Sequence, residues 1–539
     1  MTMRASALTV QRPGIAAAVL LFLLAFVVLA PGLYNGGIIS HSSNLNTVWA
    51  EGFARQLAEG HFYPRYLPEL NQGLGSPVFY FYAPLPFYMA APLVWLTGNA
   101  SLATILASAL VLALSGIAAY ALLRDIAGHR IALPMAALYM VMPYHFALDV
   151  WVRGAFGEQL GFVFLPLGLL CLRRLPGDPR YVAGLATVTA GQVLSHLPSA
   201  LIFISTIAVF AIADAVARRN WRVLLLAGLA GGAGVVAAAI YVLPALAGQS
   251  FIHPERWLDL KPAQQYVGRL HDNFQVILLA SLIPSVLVTV LSAPRLWSAG
   301  APEARRWVLL AAAIIFLVSP LGIPFWSLGG ILNAIQFPWR SLLVLDLAVC
   351  VLAAMSWAKA GGSASAHRLP LALAASAIVM AALSVTLRFQ LDPTKSAPLR
   401  DSVRVESLLL EARADAPEYL PACMDVTEDD SHGRLSQIAR VSAILGGSRP
   451  DGALEHFYYP FLALRTSAGS IPFHCAAGLG LIVPDSRLAA GEPYTLDQES
   501  LPIEQRAAWL SLLGAVAIVL IYLWGSLRRN HLEKAANAT

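Results

Sequence analysis

Apolar runs recur along almost the whole chain, and they limit its possible folds more than any other feature. They cover 14–33, 103–123, 131–148, 157–172, 181–195, 198–213, 223–246, 274–292, 307–323, 341–358, 369–387 and 507–526. A hydrocarbon layer is ~30 Å thick and a helix rises ~1.5 Å per residue, so most of these runs have the length of a crossing. Charged residues are only 12% of the 539. Soluble domains carry roughly 25%, which excludes a water-soluble enzyme. The net charge of +5 does not point to nucleic acid, because Lys and Arg cluster in short stretches between apolar runs, the pattern that orients membrane proteins.

The first run follows Arg4 and Arg12 and reads as an uncleaved anchor. The stretch 181–213 is interrupted by Ser195-His196-Leu197-Pro198. Proline and its predecessor both disfavour helix continuation, so a hairpin of two helices is predicted there. Segment 77–96 is aromatic and holds Pro77, Pro84, Pro86 and Pro92. As a full crossing it would put Arg124, Arg130, Arg173, Arg174 and Arg218 outside. As a re-entrant or interfacial segment it puts them in the cytoplasm, where Lys and Arg prefer to lie. The second choice gives an all-α polytopic bundle of about 12 crossings with both termini cytoplasmic. Residues 1–387 form the transmembrane module, 388–505 an external β-rich domain, and 506–539 a last transmembrane helix with a cytoplasmic tail.

Polar chemistry gathers on the external side of this topology. In the loop 34–76, Leu45, Val48, Trp49, Gly52, Phe53, Gln56 and Leu57 recur at helical spacing. An amphipathic helix on the membrane is expected, capped by Asn44 and ended at Gly60. In 388–505, the stretches 457–464, 471–474, 479–483 and 494–496 read as strands. Cys423 and Cys475 fall in the same region and form either a disulfide or two thiols. Cys171 and Cys350 lie in spans and read as small packing residues.

Ionisable residues near membrane depth are costly unless used. Arg153 and Glu158 lie five apart with Gly154 and Gly157 between them, so a turn can bring them together. The pair either ties down a loop or supplies a cation for phosphate and a carboxylate for acid/base work. Asp149 precedes it. His196 sits at the tip of the predicted hairpin, as a packing residue or as a catalyst. Arg340 enters its span behind Gln336-Phe337-Pro338-Trp339 and either meets a phosphate or snorkels. Asp346 lies inside that span with no evident partner. His253, Glu255, His271 and Asp272 lack tight metal-ligand spacing. Walker A, GxGxxG and GxSxG motifs are absent, which argues against a nucleotide-driven pump.

Several stretches together resemble a bacterial integral membrane family labelled 6-pyruvoyl-tetrahydropterin synthase-related, with GT-C-type glycosyltransferase architecture. They are Glu51-Gly-Phe-Ala-Arg55, Tyr63-Pro64-Arg65, Gly73-Leu-Gly75-Ser-Pro77, Pro143-Tyr144-His145, Arg153-Gly154…Glu158, Ser195-His196-Leu197-Pro198, Tyr241-Val-Leu-Pro244, Phe337-Pro338-Trp339-Arg340 and Glu418-Tyr419-Leu420-Pro421. The resemblance implies a GT-C-like bundle in a bacterial inner membrane. It also implies transfer of a sugar from a polyprenyl-phosphate donor to an envelope glycan, lipid or protein at the external face. Such a reaction needs a carboxylate base and a cation, or a divalent metal, at the leaving phosphate. Glu51, Asp149 and Glu158 are the base candidates on that resemblance. Arg65, Arg153 and Arg340 are the phosphate candidates, with His196 beside them, and Tyr63, Tyr80 and Tyr82 would line a groove. One departure stands out. GT-C enzymes usually carry an acidic residue early in the first external loop, and here that place falls near Ser42. A non-catalytic binder of lipid-linked glycan, or a transporter, is the rival expectation.

Overall fold

The computed structural model describes residues 12–38, 40–258, 262–267, 273–298, 300–359, 415–425, 446, 452–488 and 492–538. The expected crossing at 369–387, most of the first half of the expected external domain, and His271 and Asp272 lie outside the described residues. In chain order the main helices are α1 (Arg12–Val28), α2 (Ser43–Ala58), α3 (Leu85–Thr97), α4 (Ala100–Ala127) and α5 (His129–Met140). A π-helical segment, Tyr144–Arg153, follows. Then come α6 (Gly161–Arg174), α7 (Arg180–Val193), α8 (Leu197–Arg218), α9 (Trp221–Ala237), α10 (Ala239–Ala247), α11 (Asn273–Ser298), α12 (Pro302–Val318), α13 (Leu342–Lys359) and α14 (Pro502–Ala538).

The protein is a mostly helical, polytopic membrane protein. Among the described residues, six helical stretches are long and apolar enough to cross a membrane. The number is eight if each of two bent pairs is one span. The bends are 67° between α9 and α10 and 85° after α12. At the second, Ser319 and Pro320 interrupt the hydrogen-bond ladder, as proline does. Side-chain caps start α4, α8 and α9. Asn99 Oδ1 accepts from the Leu102 N–H at 2.9 Å. His196 Nδ1 accepts from the Ser199 N–H at 3.3 Å and starts α8 across a break of three residues from α7. The helix α13 lies at the centre, with Leu342 to Ala354 all buried. By contrast, Leu512, Leu513, Val519 and Leu520 on α14 are more than half exposed, an apolar surface suited to lipid.

The aromatic segment after Pro77 makes one helical turn, Val78–Phe81, before α3. With 13 residues, α3 is ~20 Å long, short of the hydrocarbon thickness. The loop helix α2 departs from expectation in two ways. It starts at Ser43, where Ser43 Oγ accepts from the Ser40 N–H at 2.7 Å, so Asn44 lies inside the helix and does not cap it. Its apolar face is also covered by protein. Trp49 and Phe53 pack on Phe79 and Phe87, and Trp49 reaches Tyr419 from the C-terminal region. A protein partner replaces the expected membrane surface because the following segment supplies enough aromatic area to bury it.

The C-terminal region holds a small β structure. Strands β1 (Leu462–Thr466), β2 (Gly469–Ile471) and β5 (Tyr494–Gln498) form an antiparallel sheet in the order β2-β1-β5. Strands β3 (Phe473–Ala476) and β4 (Leu481–Pro484) pair separately. Residues 457–461 are not a strand, since Phe457, Tyr459 and Phe461 turn inward to the aromatic core. A disulfide joins Cys423 to Cys475 on β3. The neighbouring Asp415 is buried and binds three residues of the first loop side. Trp49 Nε1 donates to it at 3.0 Å, the Ser76 hydroxyl donates to it, and its own N–H donates to Asn71 Oδ1 at 2.9 Å.

Candidate functional site

A cavity of about 410 Å³ opens where the first loop, the end of the π-helical segment and the turn after it, the start of α8, the helix α10 and residues 333–340 meet residues 418–419. The π-helix sets up its chemistry. Hydrogen bonds there reach five residues back, as from the Leu148 N–H to Pro143 O at 2.9 Å. Such turns are rare and occur often at functional sites. Gly154 ends the segment at φ +61°, a left-handed geometry that favours glycine. Its carbonyl accepts from Asn46 Nδ2 at 2.6 Å, which fastens α2 to the turn. The chain then doubles back, and Glu158 faces Arg153.

Glu158 is the hub. Arg153 Nη1 donates to its Oε2 at 2.9 Å, and the Tyr144 hydroxyl donates to its Oε1 at 2.5 Å. Arg340 Nε lies 3.3 Å from Oε2. Arg153 Nη1 also reaches Asp149 Oδ1 at 2.5 Å. Both carboxylate side chains are wholly buried, and the two guanidiniums are nearly so. Two cations and two anions therefore balance in a dry setting, where an unbalanced charge is expensive. Aromatic faces support both arginines: Trp339 lies 4.5 Å from Arg153 and Phe337 lies 4.9 Å from Arg340. Arg340 Nη1 donates to Gln336 Oε1 at 2.7 Å and to Ile335 O at 2.8 Å. Gln336 holds that position with φ +64°, a costly conformation for a residue with a side chain.

Arg153, Arg340, Glu158, His196 and Tyr82 all line the cavity, so five of the ten candidate binding or catalytic residues converge. Asp149 sits behind Arg153, and its Oδ2 is buried without a hydrogen-bond partner among the described residues. Burial first, and then Arg340, push His196 down to about 3, so its imidazole is neutral. Burial likewise pushes the Tyr82 phenol up to about 12.

Four predicted residues are elsewhere. Glu51 is exposed on α2 and pairs with Arg55 at 3.3 Å. It projects from the helix face opposite the packed aromatic one, so the expected base role finds no geometry at the cavity. Arg65 is buried with its Nε 3.3 Å from Glu504 Oε2, and its Nη2 donates to Ile240 O at 2.7 Å. Its counter-charge comes from α14, not from a phosphate site. The Tyr63 ring stacks 3.9 Å from the same guanidinium. Tyr80 joins that second cluster by donating to Glu504 Oε1 at 2.5 Å.

Other residues were not singled out as site residues. Ser42, the place where a loop carboxylate would fall, lines the cavity, and Glu418 lines it too. Tyr241 and Gln336 contribute further polar wall. Glu418 and Tyr241 lie within motifs that carry the family resemblance, which was the available signal. Asp346 has a partner after all, because its Oδ2 accepts from the His145 N–H at 3.1 Å. His253 is occupied by Glu255 at 2.8 Å and by Pro421 O at 3.0 Å. Among the described residues no group of three or more His, Cys, Asp or Glu is placed to hold a metal. The carboxylates at the hub are already held by arginines, so the donor set does not fit a divalent ion, which asks for several oxygens.

No curated protein sequence matches the chain. Thirteen chains of solved structures are similar to it, among them the following three. The arabinofuranosyltransferase AftD from Mycobacteria matches at 18% identity and TM-score 0.44, over 72% of this chain and 27% of its own. The chain thus spans about a quarter of that protein's length. ArnT from Cupriavidus metallidurans, bound to undecaprenyl phosphate, matches at 15% and TM-score 0.41, over 74% of each chain. The Archaeoglobus fulgidus oligosaccharyltransferase in its apo form matches at 13% and TM-score 0.41, over 84% of this chain and 62% of its own. A family model described as the 6-pyruvoyl-tetrahydropterin synthase related domain of membrane proteins matches residues 79–393, more than half of the chain, and the chain belongs to that family.

Proposed function

We propose that this protein is a membrane glycosyltransferase that takes a sugar from a polyprenyl-phosphate donor. The observation that carries this reading is the pairing of two guanidiniums, Arg153 and Arg340, on the wall of one cavity that also presents Glu418. An acceptor hydroxyl on an envelope glycan, lipid or protein attacks the anomeric carbon. The bond from that carbon to the phosphate oxygen breaks, and the polyprenyl phosphate leaves with the bonding pair. Arg153 and Arg340 offset the charge that grows on the leaving phosphate. Glu158 is a positioning residue, because two arginines and Tyr144 already claim its oxygens. Glu418 accepts the acceptor's proton, in place of the carboxylate that Ser42 does not supply. The reaction side is the external face of a bacterial inner membrane, with both termini in the cytoplasm. Residues 388–505 form the external domain.

The test is turnover of a labelled polyprenyl-phosphate sugar by the purified protein in a bilayer. Sugar release is expected. It should fall at least a hundredfold in Glu418→Gln, in the range of a lost general base, while donor binding persists. Arg340→Ala should lose binding. A second reading, a non-catalytic binder of lipid-linked glycan, is favoured by the fully claimed oxygens of Glu158. It predicts binding without sugar release, and failure of both binding and release removes both readings.

A further inference from the structure

A second cavity of about 310 Å³ lies at the far ends of α6 and α8, away from the Glu158 site. The helix α8 starts at His196 and carries Asp214 and Arg218 in its last turns, ~30 Å further along. The cavity mouth holds Arg173, Arg218 and Arg306 with Asp214 and Glu303. Asp125 contacts Arg173 at 2.6 Å and Arg174 at 3.0 Å beside the mouth, so four cations against three carboxylates leave one net positive charge. The pairs are partly solvated: Arg306 and Arg173 contact Asp214 and Glu303 with 20% and 32% of their side chains exposed. Arg218 is 59% exposed and approaches Asp214 only to 3.7 Å. Its guanidinium is thus poorly engaged and turned to the outside.

Below this mouth the walls are apolar, among them Leu169, Phe210 and Trp307. They continue onto the outer faces of the same helices, where Val209, Val216 and Leu309 are more than half exposed. In a membrane protein that outer surface is in contact with acyl chains. A water-soluble anion would meet the arginines but leave the apolar walls uncovered. A molecule with a phosphate head and a hydrocarbon tail covers both. Basic pockets between transmembrane helices near a membrane surface suit anionic headgroups.

We infer that this cavity holds an anionic phospholipid, its phosphate on Arg218 and Arg306 and one acyl chain between α6, α8 and α12. The experiment compares the full chain in nanodiscs of phosphatidylglycerol and of phosphatidylcholine, with lipid retention after detergent extraction counted by native mass spectrometry. One tightly retained phosphatidylglycerol is expected and no phosphatidylcholine. Arg218→Gln, at a largely exposed side chain, should lower retention roughly fivefold, the effect of one cation near a membrane surface. Equal retention of the two lipids overturns the inference, as does unchanged phosphatidylglycerol retention in the double variant Arg218→Gln, Arg306→Gln. Inorganic phosphate or glycerol phosphate protecting the protein against heat as well as phosphatidylglycerol does would also overturn it, because the occupant would then be a soluble anion.

Discussion

The same ingredients, arginine and carboxylate, sit at opposite ends of α6 and α8, and they are used differently. At one end Glu158 and Asp149 are wholly buried and Arg153 and Arg340 nearly so. At the other, Asp125, Arg173, Arg174 and Glu303 pair with about a quarter to a third of each side chain in the open. Burial raises both the attraction and the cost of charge, so the first cluster is held together by mutual need. Solvent screens the second, and each of its pairs contributes little. A cluster whose members cannot be spared is suited to fixing groups around a substrate. A screened one is suited to exchanging partners.

That contrast breaks most visibly at Glu158. Glu158→Gln leaves two buried guanidiniums against one carboxylate. It should destabilise the protein by ~3–5 kcal/mol, read as a fall in thermal midpoint in detergent. Tyr144→Phe removes one hydrogen bond to the same carboxylate and should cost about 1.5–3 kcal/mol by the same measurement. If both variants are as stable as the parent, the hub is not the tightly coupled unit described above.

Asp415 sharpens the comparison, because it is a buried carboxylate held by neutral donors. Burial pushes it up to about 7, against the pull of the Ser76 and Ala416 hydrogen bonds. A group raised in the folded state stabilises fully below its unfolded value of ~3.9. That contribution is lost as pH rises toward about 7. Stability should therefore decline across this window, with a slope of at most ~1.4 kcal/mol per pH unit. Asp415→Asn should flatten it. Unfolding midpoints taken at pH 5 and pH 8 for both proteins decide the matter. The smallest effect belongs to the solvated end, where Arg173→Ala should cost no more than ~1 kcal/mol. A larger loss there would mean that the second cluster is as coupled as the first.

Much of the architecture was legible because hydropathy reports burial in lipid directly. The runs at 103–123, 198–213, 341–358 and 507–526 lie in α4, α8, α13 and α14. The turn joining Arg153 to Glu158 was legible as well, since two glycines in five residues announce a reversal. Arg340 at Glu158 was not, because no local pattern says which distant cation a buried anion will meet. The partner of Arg65 was not legible for the same reason: Glu504 belongs to the last helix. The loop helix α2 looked like a membrane-surface helix because amphipathicity records an apolar face and not what covers it. The family motifs held Glu418 and Tyr241 in plain view, but spacing alone gave them no chemistry.

The contact of Glu504 with Arg65 and Tyr80 bears on how the protein is made. Tyr80 and Glu504 lie 424 residues apart. A ribosome adding ~5–20 residues per second needs tens of seconds to cover that distance. Throughout that interval the first loop has emerged with a basic side chain whose counter-charge does not yet exist. The Arg65 side chain therefore gains its ion pair only once the closing helix is inserted, long after Trp49 and Phe53 can pack on the neighbouring Phe79 and Phe87.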